Sequence, residues 1–122
     1  MHSDKKTVVI GASTNPERAS YDAVQQLNAK NYPIVAVGLK EGKIGEVDIQ
    51  KGFPKIENVD TITLYVGAKN QPVYYNYIFS LNPKRIIFNP GAENYELVKL
   101  AAAKGIETIE ACTLTMLAIG NY

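Results

Sequence analysis

The chain has 122 residues, of which 46% are hydrophobic and 20% are charged, and its formal net charge at pH 7 is +1. This length predicts a single domain over residues 1–122, with residues 1–5 as a flexible tail. A net charge so close to zero excludes a strong general attraction to nucleic acid or to anionic membranes. We therefore expect neither as a partner.

The sequence carries no recognisable export or membrane signal. Residues 1–6 are polar and lack the apolar region of a signal peptide. No apolar run approaches the roughly 20 residues that span a bilayer. The single cysteine, Cys112, excludes an intrachain disulfide, which is compatible with a reducing compartment. We accordingly expect a cytoplasmic protein.

Strand-like and helical patterns alternate along the chain. Ser20 is the predicted N-cap of the first helix, and Asn31 is predicted to end it. Residues 40–55 hold several Gly and Pro residues, which predicts a loop with one short extended piece at Glu46–Ile49. The predicted strands are Thr7–Ile10, Ile34–Val37, Thr61–Val66, Arg85–Phe88 and Ile106–Ile109, and the predicted helices are Ser20–Lys30, Gln71–Leu81, Glu93–Lys104 and Thr113–Ile119.

This alternation with short connections predicts an α/β fold: a Rossmann-like, doubly wound parallel sheet of about five strands in three layers. In such sheets ligands bind beyond the carboxyl ends of the strands, where the winding direction reverses. The candidate loops at that edge begin at Gly11, Gly38, Gly67, Asn89 and Glu110.

The loop after the first strand has the chemistry of a phosphate cradle. Gly11 allows close backbone approach, the hydroxyls of Ser13 and Thr14 can donate to phosphate oxygens, and Arg18 can pair with a phosphate. The loop lacks both the three glycines of the dinucleotide fingerprint and the Walker A pattern. An ordinary strand-to-helix turn with a solvated arginine is the alternative interpretation.

The loop after the second strand places Lys40 before Glu41. An acidic residue there typically binds a free ribose hydroxyl, whereas a basic residue suits a phosphorylated ribose, as in coenzyme A or NADP. A solvated Lys–Glu pair is the alternative. The loop Asn89–Glu93 supplies Pro90 and Gly91, which can border a ligand or simply form a tight turn into the next helix.

The sequence offers little for catalysis. The only histidine is His2, so a catalytic triad would have to recruit it, and no His/Cys metal cluster can be built. Cys112 is predicted to be structural, because Glu110 nearby would raise the pKa of its thiol. Tyr74 and Tyr77 share one helix face and could line a subunit contact in a homodimer.

Taken together, these segments resemble the small stand-alone CoA-binding domain proteins, which are similar to the N-terminal CoA-binding domain of the succinyl-CoA synthetase α subunit. The resemblance spans about Lys6 to Leu117. The segments that carry it are Val9–Ser13 with Pro16, Arg18 and Ser20; Gly45, Pro54 and Val59-Asp60; Asn89–Asn94 with Leu100-Ala101 and Gly105; and Glu110–Cys112. The chain departs from the family at Gly38-Leu39, at Ala111 and in the loop Gly67–Asn70.

The resemblance implies binding of coenzyme A across the strand ends, and we expect the ligand to be coenzyme A or an acyl-CoA. From the scarcity of histidine and cysteine we expect no catalytic and no metal-binding residues. The residues that the resemblance implies are Gly11, Ala12, Ser13, Arg18 and Ser20 around the phosphates, Lys40 near the adenosine, Val66 and Gly67 beside the cofactor, and Pro90 and Gly91 along the pantetheine arm. It does not imply ligase activity, because the synthetase uses a histidine from another domain. Two alternatives remain: an NAD(P)-binding oxidoreductase-like domain, and an interaction domain whose nucleotide pocket has decayed.

Overall fold

A computed structural model describes residues 4–122 as a seven-stranded sheet with four α-helices. Two short 3₁₀ turns, Ala68–Asn70 and Pro72–Tyr74, precede the second helix. The strands are β1 Thr7–Ile10, β2 Ile34–Val37, β3 Gly42–Ile44, β4 Val47–Gln50, β5 Thr61–Leu64, β6 Arg85–Phe88 and β7 Glu107–Glu110; the helices are α1 Ala19–Ala29, α2 Tyr75–Leu81, α3 Tyr95–Ala103 and α4 Thr113–Ile119.

The strand order is β3-β4-β2-β1-β5-β6-β7, and every pairing is parallel except β3 with β4. Strand β1 lies at the centre, with Ile10 level with Val37 of β2 and with Leu64 of β5. The chain adds strands first on the β2 side of β1 and then on the β5 side. The winding direction therefore reverses at β1, which makes its carboxyl end the expected ligand position.

Helices cover both faces of the sheet, as the sequence predicts. Because successive strand residues point to opposite faces, Val8 and Ile10 pack in one cluster with α2 and α3, whereas Val9 packs in the other with α1 and α4. All three side chains are fully buried. Burial on both faces explains why β1 is a continuous apolar and β-branched run, and it confirms the three-layer architecture.

The prediction of about five strands is corrected to seven, because residues 40–55 contain a hairpin rather than a loop with one extended piece. The two strands β3 and β4 pair Ile44 with Val47 across a two-residue turn. Gly45 occupies this turn with φ +60°, a conformation that glycine adopts without a steric penalty. Ile44 and Ile49 are buried under the α1 face of the sheet, so the hairpin extends the core.

Three helix starts also differ from the prediction, and the smallest difference is at α3, which begins at Tyr95 after its N-cap Asn94 rather than at Glu93. Helix α1 begins at Ala19 with Arg18 as its N-cap, because the turn closed by the Arg18 N–H on the Asn15 carbonyl starts the helix early; Ser20 lies inside the helix and is buried. Pro72 stands in a 3₁₀ turn, and the α-helix proper begins at Tyr75. Asn31 ends α1 with φ +65°, as predicted.

Candidate functional site

The β1–α1 loop turns sharply at the carboxyl end of the central strand. Gly11 has φ +99°, and a Cβ atom there would lie 3.1 Å from the backbone carbon of Tyr65 and from Val66 Cγ2. The N–H groups of Gly11 and Ala12 both donate to the carbonyl oxygen of Val37, at 2.9 Å. These two amides therefore hold the loop against β2 and are not available to a ligand.

The amides available to an anion come from the first turn of α1. Within residues 4–122, the N–H groups of Ala19 and Ser20 donate to no acceptor. The approach to this helix is held by its own side chains: Ser13 Oγ accepts from the Asn15 N–H, and Asn15 Oδ1 accepts from the Glu17 N–H. An ordered loop leading to unpaired amides at a helix N-terminus favours a bound anion.

A cavity of about 1020 Å³ opens at this point. Its walls come from the β1–α1 loop, the ends of β2 and β5, the two 3₁₀ turns that precede α2, and Pro90. The predicted residues that line it are Gly11, Ala12, Ser13, Arg18, Ser20, Lys40, Val66, Gly67 and Pro90. The cavity thus lies at the carboxyl ends of β1, β2 and β5, where the winding direction reverses.

The charged side chains around this cavity are all basic. Arg18, Lys40 and Lys69 line it, and no carboxylate is among the lining residues of the described chain. The one ion pair found within residues 4–122 joins Lys43 and Asp48 at 3.4 Å, so the three cavity cations have no carboxylate partner. In a protein of formal net charge +1, this concentrates positive charge at one edge of the sheet.

The uncharged walls of the cavity contribute no compensating negative charge. Burial raises the pKa of Tyr65, which lines the cavity, to about 12, so this phenol is neutral at physiological pH. Leu39 and Val73 also line the cavity, and their side chains are 84% and 66% exposed. Such exposure of two large apolar side chains beside basic groups suits a ligand with both anionic and apolar parts.

The sequence of residues 5–118 matches a protein family described as the CoA binding domain. The chain belongs to the CoA binding domain family. This is the domain found in proteins similar to the succinyl-CoA synthetase α subunit. No functionally curated protein matches the chain at comparable significance.

Solved structures extend the comparison. A crystal structure of an uncharacterized protein is 44% identical, covers 97% of this chain and 98% of its own, and superposes with a TM-score of 0.93. A hypothetical protein from Pyrococcus horikoshii OT3 is 21% identical over 91% of this chain and 80% of its own, with a TM-score of 0.81. A Thermus thermophilus protein is 17% identical over 97% and 90%, with a TM-score of 0.83. The last two likenesses concern the fold alone.

The tenth predicted residue of this CoA binding domain, Gly91, is not part of the cavity lining. Its N–H donates to Glu93 Oε1 at 2.8 Å, so Gly91 takes part in the turn into the next helix. The neighbouring Asn89 is buried and accepts from the Thr113 N–H, so it caps α4 beneath the sheet edge. Of this loop, Pro90 alone reaches the cavity among the described residues.

Sequence reasoning did not assign several lining residues of the CoA binding domain to its site. Lys69, Asn70 and Val73 come from the 3₁₀ turns after β5, and Leu39 comes from the end of β2. Their signal was position alone: each follows a parallel strand at the edge where ligands bind.

The predicted contact face of Tyr74 and Tyr77 is corrected by their burial, since each is only 7% exposed. The Tyr77 hydroxyl donates to the carbonyl oxygen of Pro54 at 2.7 Å, and the Phe53 ring packs on both tyrosines with centroids 5.9 and 5.3 Å away. The residues after β4 fold back over this helix face. These tyrosines therefore belong to the core of the CoA binding domain and are not free to line a subunit contact.

The expected effect of Glu110 on Cys112 is also corrected. The side-chain hydroxyl of Thr115, together with the backbone N–H groups of Thr115 and Leu114, lowers the pKa of the Cys112 thiol despite its partial burial. Cys112 is the N-cap residue of α4. His2 lies outside the described residues. Across residues 4–122, no three His, Cys, Asp or Glu side chains are grouped as a metal site would require, and no helix is long and apolar enough to cross a bilayer.

Proposed function

We propose that this chain binds coenzyme A or an acyl-CoA in the cavity at the carboxyl ends of β1, β2 and β5, and that it carries out no catalysis of its own. The observation that carries the proposal is the set of three basic side chains, Arg18, Lys40 and Lys69, around a cavity whose described lining has no carboxylate. Membership of the CoA binding domain family supports the choice of ligand.

The basic groups are spread across the sheet edge in the way that a ligand with several phosphates requires. Lys40 follows β2, Arg18 caps the helix after β1, and Lys69 follows β5, so the three come from neighbouring strands. Adjacent strands lie about 4.8 Å apart, so the backbone ends of these three strands form a row about 10 Å wide. Coenzyme A carries a pyrophosphate and a separate ribose phosphate, and a row of cations can meet both.

Each part of the ligand has a chemically matched wall. Arg18 and the unpaired amides of Ala19 and Ser20 would hold the pyrophosphate. Lys40 would meet the ribose phosphate, which mirrors the basic residue that accommodates a phosphorylated ribose in related sheets. The apolar side chains of Leu39 and Val73 would cover uncharged parts of the ligand.

The polar groups of the cavity support recognition rather than reaction. Its described lining includes hydroxyl, amide, guanidinium and ammonium groups, and no imidazole, carboxyl or thiol side chain. General acid–base catalysis most often uses histidine, which the described lining lacks, and Tyr65, which the lining does contain, has a pKa raised to about 12 by burial and so exchanges a proton poorly near neutral pH. A binding role therefore accounts for the lining without an added reactive group.

A thermal-shift titration of the full chain with coenzyme A, 3′-dephospho-CoA, NAD and NADP tests this function. A ligand that binds only the folded state stabilises it by RT ln(1 + [L]/Kd), or about 2.7 kcal/mol at one hundred times Kd. For a domain of this size that corresponds to a rise in Tm of roughly 10 °C.

The four ligands separate the functions that the sequence leaves open. We expect coenzyme A to raise the Tm most, and 3′-dephospho-CoA to raise it less because Lys40 would lose its phosphate. A rise with NAD or NADP alone would instead support an oxidoreductase-like domain. No rise with any of the four at millimolar concentration would contradict nucleotide binding and favour an interaction domain.

A further inference from the structure

A buried glutamine ties together the two loops on the β5 side of the cavity. Gln71 is fully buried, and its Nε2 group donates to the carbonyl oxygens of Val66 at 2.8 Å and Ala92 at 2.6 Å. Its Oε1 atom accepts from Asn94 Nδ2 at 2.8 Å. Both Nε2 hydrogens are therefore donated and Oε1 accepts one bond, and each partner belongs to a loop at the sheet edge.

The orientation of the Gln71 amide follows from its neighbours. Asn94 caps α3 by accepting from the Leu97 N–H with Oδ1, so its Nδ2 group is the one that faces Gln71. A donor from Asn94 requires an acceptor at Gln71, which turns the Gln71 Nε2 group towards the two carbonyls. Nδ2 of Asn94 also donates to the Tyr75 hydroxyl at 2.7 Å.

The two loops that Gln71 joins both reach the cavity. Val66 lines it from the end of β5, and Pro90 lines it two residues before Ala92. The loops are also close elsewhere: a Cβ atom on Gly67 would lie 3.9 Å from the carbonyl oxygen of Gly91. The spacing between these two backbone segments is thus set by one side chain that does not itself line the cavity.

We propose that Gln71 is a positioning residue, which fixes the gap between the loop 66–70 and the loop 89–94 and thereby shapes the binding cavity. The effect on ligand affinity rests on the proposed function, whereas the effect on loop spacing does not. Gln71 needs two donors and one acceptor at this position, a set that no carboxylate or apolar side chain provides. Replacement by an apolar side chain would remove the partner of the buried Ala92 carbonyl oxygen and of the part-buried Val66 carbonyl oxygen, and the loss at the buried oxygen is the more costly.

Two variants separate the hydrogen bonds of Gln71 from its packing. Gln71→Met keeps the length of the side chain and removes all three hydrogen bonds. Gln71→Glu keeps the shape and restores one donor only when the new carboxyl is protonated, and burial beside carbonyl oxygens raises the pKa of such a group. Gln26→Glu, on the exposed face of α1, is the matched control for the change of charge.

Hydrogen exchange measures the loop spacing without any ligand. In Gln71→Met we expect the hydrogen-bonded backbone amides of Asn70 and Ala92, one in each loop, to exchange at least tenfold faster than in the wild type, while the amides of β1 keep their relative protection. Equal acceleration throughout the sheet, or no change in the two loops, would overturn the positioning role. This result stands or falls independently of coenzyme A binding.

The pH profile of coenzyme A binding measures the consequence for the cavity. Relative to the wild type, we expect the Kd of Gln71→Glu to rise at least threefold between pH 6 and pH 8.5, because ionisation removes the last donor. Four titratable groups surround this position. Tyr75 bonds to Asn94 and to Glu96, Glu93 lies on the β6–α3 loop, and Lys69 lies on the preceding turn. They are present in the wild type too, so the ratio cancels their ionisation and that of the ligand.

The two readouts distinguish the proposals. A wild type that binds no coenzyme A contradicts the proposed function, while exchange in the two loops still decides the role of Gln71. A wild type that binds, combined with a pH-independent ratio for Gln71→Glu and unchanged loop exchange in Gln71→Met, overturns the positioning role alone.

Discussion

Gly38 packs directly against the carbonyl group of Ala12, so that a Cβ atom on Gly38 would collide with the Ala12 oxygen and lie 3.0 Å from Ile49 Cγ2. The same loop is held from the other side, because the Ala12 N–H donates to the Val37 carbonyl. The end of β2 and the β1–α1 loop therefore form one rigid unit at the floor of the cavity, with no room for even a methyl group between them.

Replacement of this glycine tests that packing. We expect Gly38→Ala to lower the free energy of unfolding by about 1–3 kcal/mol, the usual cost of overpacking, and to weaken coenzyme A binding by displacing the β1–α1 loop. Chemical denaturation and calorimetric titration measure the two effects. For the free energy of unfolding, Gly67→Ala is the matched control, since its Cβ would meet nothing closer than 3.9 Å and its φ is −60°. Comparable destabilisation by both variants would contradict the packing argument.

Arg18 is expected to contribute to ligand binding without contributing to folding. It is exposed, has no carboxylate partner within residues 4–122 and caps α1 with its backbone alone. Arg18→Ala should therefore leave the free energy of unfolding within about 0.5 kcal/mol of the wild type. It should weaken coenzyme A binding by about 1–3 kcal/mol, or roughly 5- to 150-fold in Kd, because a charge-assisted hydrogen bond is lost.

Isothermal titration calorimetry checks the prediction for Arg18. Lys30→Ala is the control, because it removes the same charge just beyond the opposite end of α1, roughly 16 Å away along an 11-residue helix. The control should change Kd by less than about twofold, the small effect expected of a distant exposed charge. An equal loss of affinity in both variants would show that Arg18 acts through net charge and not through contact.

Lys40 is expected to distinguish the ligands by their ribose phosphate. In the wild type, coenzyme A should bind more tightly than 3′-dephospho-CoA, since the phosphate meets a basic side chain that has no competing carboxylate in the described structure. In Lys40→Ala the two affinities should converge to within about twofold, because the variant has lost the partner of that phosphate. Four Kd values, for the wild type and Lys40→Ala each with coenzyme A and 3′-dephospho-CoA, form a thermodynamic cycle that measures the coupling between Lys40 and the ribose phosphate. Undiminished preference for coenzyme A in Lys40→Ala would assign the phosphate to another residue, with Lys69 the next to test.

The central strands were predictable because burial on both faces leaves a strong signal in the sequence. Strands β1 and β2 begin and end where the runs Thr7–Ile10 and Ile34–Val37 predict. Of the β3–β4 hairpin, the extended piece predicted at Glu46–Ile49 corresponds to β4 within one residue. Strand β3 was missed because Ile44 is its only large apolar residue, and Gly42 and Gly45 resemble loop residues. Propensity alone does not identify such an edge hairpin, since its stability comes from packing under α1.

The part of the site that directly follows the parallel strands was predictable from the sequence. The residues of the β1–α1 loop follow one strand, and the topology of a parallel sheet brings Lys40 and Val66 to the same edge. The role of Gln71 is different, because its three partners lie 5, 21 and 23 residues away. Nothing in the local sequence distinguishes such an amide from a surface glutamine. Only the tertiary structure shows that it is buried and which groups it joins.

The reactivity of Cys112 should depend on the hydroxyl group of Thr115. That hydroxyl is the largest influence lowering the pKa of the thiol, and a thiolate is the form that alkylating agents attack. Thr115→Val removes the hydroxyl at constant shape, so the pKa of Cys112 should rise and the thiolate fraction at pH 7.5 should fall. Thr115 is exposed, so the substitution should have little effect on folding.

Alkylation by iodoacetamide, followed by intact mass, measures this change on the only cysteine of the chain. At a pH well below the pKa the thiolate fraction falls tenfold for each unit by which the pKa rises, which corresponds to about 1.4 kcal/mol; the rate falls less steeply, because a thiolate of higher pKa is the stronger nucleophile. Thr115→Ser keeps a hydroxyl and should react at close to the wild-type rate. The pH at half-maximal rate should therefore be higher for Thr115→Val than for the wild type and Thr115→Ser. If Thr115→Val instead reacts as fast as the wild type across this pH range, the backbone N–H groups of Leu114 and Thr115 are sufficient to stabilise the thiolate.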